Sequence, residues 1–182
     1  MKVTATKLKD CFILEPTVFE DERGYFFESF NAQKFQKLTG LTVSFVQDNQ
    51  SESSYGVLRG LHFQKGEHAQ AKLVRVLSGE VLDVAVDLRE GSPTHGQYES
   101  IVLSGKNKKQ FFVPRGFAHG FVVLSSSAEF FYKCDNFYSK ESEGGIIYDD
   151  SSLNIDWKLP KRDFVVSEKD QILPQFAKSI VL

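Results

Sequence analysis

Between positions 81 and 88, Leu82, Val84, Val86 and Leu88 alternate with Val81, Asp83, Ala85 and Asp87. A two-residue period places successive side chains on opposite faces of an extended chain; a helix would instead group neighbours three and four apart. The segment therefore reads as a strand with one greasy face and one partly acidic face. With the run before it, 73–88 predicts two strands broken at Ser78-Gly79, in a hairpin. Similar runs recur at 43–50, 57–64, 97–103, 110–113, 120–124 and 129–136, punctuated by Gly, Ser, Asn or Pro. Many short, evenly spaced strands predict a sandwich or barrel. The seventeen Phe residues favour aromatic-rich β structure over a helical bundle. One short helix is predicted at 31–38, with Asn31 as cap, Phe35 and Leu38 on one side and Gly40 as terminator. A single further turn is expected near Ser167 to Asp170.

Length bounds the organisation: 182 residues suit one domain, 1–182, with a barrel core at about 43–136 and the N-terminal strands and C-terminal tail packed around it. Lys and Arg number 22 against 24 Asp and Glu, so nothing in the charge balance calls for a nucleic acid partner. Cys11 and Cys134 fit neither a disulfide framework nor a zinc ribbon, which points to reduced thiols in the cytoplasm. The N-terminus lacks the apolar stretch of a signal peptide and no run reaches membrane-spanning length, so a soluble protein without membrane contact is expected.

Polar groups embedded in strands are informative, because a closed barrel turns alternate side chains into a cavity where they must be satisfied. In Leu58-Arg59-Gly60-Leu61-His62-Phe63-Gln64, alternation places His62 with Leu58, Gly60 and Gln64, and Arg59 with Leu61 and Phe63. A strand histidine is either a satisfied structural group or a base. Lys72, at the head of the next strand, is either edge protection or a cation aimed into the same cavity. Tyr132, beside Phe130, is either core or a proton donor. Taken together, a His base, a Lys for an oxyanion and a Tyr acid make the set needed for proton abstraction beside a carbonyl, which fits enolisation and epimerisation.

A metal reading fails on ligand count. Pro114-Arg115-Gly116-Phe117-Ala118-His119 matches the second signature of metal-binding cupin barrels, but His62 is followed by Phe63-Gln64, so no His-x-His pair exists. His68 and His95 sit in turn-like segments. No metal or other cofactor is expected. Arg23 and Arg59 suit phosphate oxygens and Lys169 adds a point charge. Glycine-rich phosphate loops are absent, so side chains would have to hold any diphosphate. Tyr138 offers a face on which a nucleobase could stack.

Five blocks in order, Phe19-Glu20-Asp21-Glu22-Arg23-Gly24-Tyr25-Phe26, Val46-Gln47-Asp48-Asn49, Val57 to Gln64, Pro114 to Phe121 and Tyr132-Lys133, resemble successive signatures of the dTDP-4-dehydrorhamnose 3,5-epimerases over about residues 3–175. The resemblance implies an all-β, cupin-type jelly-roll barrel with short peripheral helices. It also implies a metal-free homodimer acting on dTDP-4-dehydro-6-deoxyglucose on the way to dTDP-L-rhamnose. By similarity His62 is the base at C3 and C5, Asp170 orients it, Lys72 stabilises the enolate and Tyr132 returns the proton. Arg23, Glu28, Gln47, Asp48, Asn49, Arg59, Lys72, His119, Glu143 and Lys169 would line the nucleotide-sugar site, with Tyr138 on the thymine. Gln50 departs from the His common after Gln-Asp-Asn, and His95 and Tyr98 replace commoner aromatics. The alternatives are an epimerase acting at one carbon of a related keto-sugar, against which Tyr132 speaks, and a silent sugar-nucleotide-binding barrel, against which the joint presence of His62, Lys72, Tyr132 and Asp170 speaks.

Overall fold

The structure is a computed structural model that describes residues 1–176. In chain order its elements are β1 (Lys2–Ala5), β2 (Phe12–Glu15), β3 (Phe19–Asp21), β4 (Gly24–Phe26), α1 (Ala32–Thr39), β5 (Gln47–Ser54), β6 (Val57–Gln64) and β7 (Lys72–Ser78). There follow β8 (Glu80–Asp87), β9 (Tyr98–Ser104), β10 (Gln110–Val113), β11 (Phe117–Val123), β12 (Ser127–Cys134), β13 (Glu143–Gly145), β14 (Val165–Val166) and α2 (Glu168–Gln171). One sheet runs β1-β2-β10-β7-β12-β5 and the other β13-β6-β11-β8-β9, with β14 alongside β6. The two sheets face each other as the expected all-β jelly-roll barrel. Among the described residues β3 and β4 pair only with each other and form a separate hairpin.

The predicted hairpin over 73–88 does not form. β7 pairs with β10 and β12, whereas β8 pairs with β11 and β9, so Ser78-Gly79 is a corner where the chain passes from one sheet to the other. Two strands joined at a glycine read the same in sequence whether the glycine closes a hairpin or turns a corner. Gly79 takes φ +78°, and a Cβ there would overlap the Ser127 carbonyl oxygen.

Both faces of β8 are buried. Val81 and Ala85 meet Val74, Phe111 and Phe130 in the core between the sheets. Leu82, Val84, Val86 and Leu88 form a second core, capped from outside by Ile146, Leu153 and Trp157 of the C-terminal region. The outer face of the first sheet is covered by α1, whose Phe35 packs edge-on against Phe112 at 5.0 Å between centroids. Asn31 caps this helix by accepting the Lys34 N–H at 3.0 Å, and Gly40 ends it at φ +76°. Leu38 does not share the burial of Phe35 and is 45% exposed, because the short helix seats only one residue on the sheet.

The pairing of β6 with β11 carries the feature that shapes the cavity. His119 lies opposite His62, but Phe121 lies opposite Arg59, so three residues of β6 span two of β11. The extra residue is a bulge at Gly60-Leu61. Here the backbones approach so closely that a Cβ on Gly60 would lie 2.7 Å from Gly120 Cα, and one on Gly120 would lie 2.6 Å from the Arg59 carbonyl oxygen. Gly120→Ala is therefore expected to cost about 1–3 kcal/mol of unfolding free energy by overpacking. Chemical denaturation checks this, and a wild-type midpoint would show that the contact can relax freely.

Candidate functional site

The bulge changes which side chains of β6 travel together. Leu58, Leu61 and Phe63 all join the outer core, and Arg59 and His62 both turn into the space between the sheets. Strict alternation had separated Arg59 from His62; the extra residue reverses the phase after Gly60 and unites them. The cavity they line has a volume of about 670 Å³ and also receives Asn49, Lys72, His119, Tyr132, Lys169 and Asp170.

One wall belongs to the second sheet. His62 Nε2 lies 2.7 Å from Asp170 Oδ1, while Asp170 Oδ2 accepts the Gly60 N–H at 3.2 Å, so one carboxylate holds both the imidazole and the bulge. Asp170 is buried and comes from the turn of α2, where Ser167 Oγ accepts the Asp170 N–H at 3.2 Å. With Nε2 donating the ring proton to Asp170, Nδ1 keeps its lone pair for a ligand. Burial holds the His62 pKa below its ordinary value; Asp170 opposes that shift, and the charges of Lys72 and Lys169 reinforce it. His62 is accordingly a neutral base at neutral pH.

The facing wall belongs to the first sheet. Lys72 opens β7 and Tyr132 lies on β12, with Lys72 Nζ 5.9 Å from the centre of the Tyr132 ring. Burial lowers the Lys72 pKa and pushes Tyr132 up to about 12, so Tyr132 enters any reaction as a phenol with a proton to give. A base on one wall and an acid on the other are suited to removing a proton from one face of a bound carbon and returning one to the opposite face.

Arg59 donates its Nε–H to Ser53 Oγ at 3.1 Å, which leaves both terminal amino groups of this exposed guanidinium for an anion. Gln47, Tyr138 and Glu143 sit beside the cavity in a hydrogen-bonded chain. Gln47 donates to Asn49 Oδ1 and accepts the Tyr138 N–H, the Tyr138 hydroxyl donates to Glu143 at 2.9 Å, and Lys169 pairs with the other Glu143 oxygen. Three expected residues lie elsewhere. Asp48 alternates with its neighbours to the outer face of β5 and pairs with Lys133 at 2.8 Å. Arg23 is on the exposed β3–β4 hairpin, bound to Asp21. Glu28 pairs with Lys34 at 2.8 Å and accepts from Asn31 at the start of α1.

Asp83, on the acidic face of β8, is a cavity-side residue that the sequence reading does not name as a site residue. It is fully buried, with its two carboxylate oxygens 2.8 and 3.0 Å from His119 Nε2. Each cavity histidine thus has a carboxylate of its own. Among the described residues no group of three or more His, Cys, Asp or Glu is placed to hold a metal ion.

Comparison with known proteins finds relatives over nearly the whole chain. The family model described as dTDP-4-dehydrorhamnose 3,5-epimerase matches residues 5–178. The dTDP-4-dehydrorhamnose 3,5-epimerase of Salmonella typhimurium is 53% identical across 100% of this chain and 98% of its own length. The crystal structure of the enzyme of that name from Elizabethkingia anophelis NUHP1 superposes with a TM-score of 0.95 at 65% identity, covering 99% of this chain and 98% of that one. A Legionella pneumophila dTDP-6-deoxy-D-glucose-3,5-epimerase in complex with dTDP-4-keto-L-rhamnose superposes with a TM-score of 0.89 at 49% identity, covering 97% and 98%.

The His62–Asp170 contact makes a signed prediction. Asp170 supports the protonated imidazole, so Asp170→Asn is expected to lower the His62 pKa further. NMR titration of the imidazole reads this directly, and an unchanged or raised value would contradict the assigned contact.

Proposed function

The chain belongs to the dTDP-4-dehydrorhamnose 3,5-epimerase family, and from that premise we propose that all of it serves one reaction, the conversion of dTDP-4-dehydro-6-deoxy-D-glucose to dTDP-4-dehydro-L-rhamnose. The observation that carries the reading is the neutral His62, held at 2.7 Å by Asp170, facing Lys72 and Tyr132 across one cavity. A ketone at C4 acidifies the protons on C3 and C5. His62 Nδ1 removes such a proton, and Asp170 stabilises the resulting imidazolium through Nε2–H. Lys72, from the facing sheet, stabilises the enolate oxygen that develops at C4. Tyr132 then protonates the carbon from the opposite face.

The nucleotide end follows the exposed positive side of the cavity. Arg59 and Lys169 serve the diphosphate, His119 and Asn49 the sugar, and Tyr138 the thymine ring, with Gln47 and Glu143 fixing Tyr138. The cavity volume lies within the ordinary range for small-molecule sites. Among the described residues no helix is long and apolar enough to cross a membrane, and Cys11 and Cys134 are free and buried; both agree with a cytoplasmic enzyme.

Arg23 and Glu28 take part in this site through a homodimer. The β3–β4 hairpin holds Phe19, Tyr25 and Phe26 at 63%, 57% and 70% exposure, an apolar arm of the kind that marks an interface. The reading assigns the arm to the cavity of a second copy, where Arg23 adds to the phosphate site. Asp48, turned outward on the edge strand β5, belongs to the same intersubunit surface.

Loss of the base in His62→Ala is expected to reduce turnover about 10²–10⁴-fold. Tyr132→Phe is expected to retain deuterium exchange but to impair net inversion. Normal inversion by Tyr132→Phe would require another acid. For the arm, mixing Arg23→Ala with His62→Ala chains is expected to restore activity, because one site of each mixed dimer has both its base and an intact arm. No recovery in verified mixed dimers would place the arm on its own chain's site.

A further inference from the structure

The second His–Asp pair in the barrel contains a carboxylate, Asp83, that has no place in the chemistry above. Asp83 lies on β8 opposite Phe121 of β11, and His119 sits two residues back along β11 on the same face. That is the diagonal relation that lets long side chains meet across antiparallel strands. The ring of His119 is fixed on its flank by Phe130, stacked at 6.2 Å between centroids. Asp83 itself is surrounded by the apolar core that contains Val81, Ala85, Leu103 and Phe121. A carboxylate there is costly to bury, and a well-packed apolar residue would serve stability as well or better. Its effect must be sought in the groups it touches.

We propose that Asp83 is a positioning residue for the epimerisation: a carboxylate behind the cavity that fixes the orientation and tautomer of His119 and provides the negative charge facing Lys72. The proposal rests on the epimerase reading of this cavity. With Nε2–H given to Asp83, His119 presents Nδ1 as an acceptor for a substrate hydroxyl.

The other groups around Lys72 leave this role to Asp83. Cys134, from β12, is held as a thiol with its pKa pushed up to about 11 by burial. Tyr132, also from β12, is a phenol, and His62, from β6, is neutral. Glu143, from β13, is occupied by Lys169 and Tyr138. Burial drives the Asp83 carboxyl upward, and the opposing pull comes from His119 and Lys72. Asp83 in turn raises the pKa of Lys72 against the lowering effect of burial.

The test compares the full-length wild type with the near-isosteric Asp83→Asn variant. It measures kcat and KM against pH on dTDP-4-dehydro-6-deoxy-D-glucose and long-range ¹H–¹⁵N NMR of the imidazoles. Asp83→Asn is expected to lower kcat/KM about 10–100-fold, the usual loss when a carboxylate behind a working histidine is removed. The alkaline limb of its profile is expected to move to lower pH, because Lys72 loses its anion. Wild-type His119 is expected as the Nε2–H tautomer and the variant as a mixture. A wild-type rate with an unmoved alkaline limb would overturn the role. Should Asp83→Asn fail to fold, the wild-type spectrum still decides: a His119 proton on Nδ1 refutes the proposal and one on Nε2 supports it. A wild type that does not turn over this substrate would remove the epimerase reading itself, whereas an active wild type beside an unaffected variant removes only Asp83.

Discussion

The close approach of Gly60 and Gly120 governs the active cavity, because it admits one extra residue into β6 without parting it from β11. Before the bulge, Leu58 packs outward and Arg59 turns inward. After it the phase is reversed, so Leu61 and Phe63 return to the outer core and His62 comes in beside Arg59. A regular strand would turn only one of Arg59 and His62 into the cavity. Asp170 closes the arrangement from the tail, since the carboxylate that orients His62 also accepts the backbone N–H of Gly60. The geometry of His62 and the shape of the strand that carries it are therefore one problem with one solution.

The charges divide between the two walls. The histidines and their carboxylates belong to the second sheet and its attached α2 turn, whereas Lys72 and Tyr132 belong to the first. Because the groups lie out of water, burial sets the direction of each shift. It keeps His62 free of its proton and keeps Tyr132 in possession of one. Those are the states that a base and an acid need at the start of a proton transfer across a bound sugar. The paired carboxylates moderate the effect rather than reverse it.

Much of this was legible in the chain. β6 and β10 begin and end where the hydrophobic runs do, and α1 is bounded by its Asn31 and Gly40 caps because those signals are local. Sheet membership was not local: nothing about Ser78-Gly79 distinguishes a hairpin from a corner, and the distinction lies in which partners β7 and β8 find. The single-residue slip at Gly60 was likewise invisible to a period-two reading, and it moved Arg59 across the sheet. His62, Lys72, Tyr132 and Asp170 meet as expected. Asp83 is not legible as a site residue, because one acid in an alternating strand reads as an ordinary polar face; the tail covers the opposite face of β8, and Asp83 is left pointing between the sheets. Arg23 and Glu28 lie apart from the cavity in this chain, Arg23 on the exposed β3–β4 hairpin and Glu28 at the start of α1.

The claim on which the rest stands is that one cavity with one base labilises the protons on both sides of a C4 ketone. Proton NMR of the wild-type enzyme with dTDP-4-dehydro-6-deoxy-D-glucose in heavy water measures this in a single time course. The account predicts that the C3 and C5 proton signals both disappear as the L-rhamno product grows in. Binding of the sugar nucleotide with exchange at only one carbon, or at neither, would contradict it.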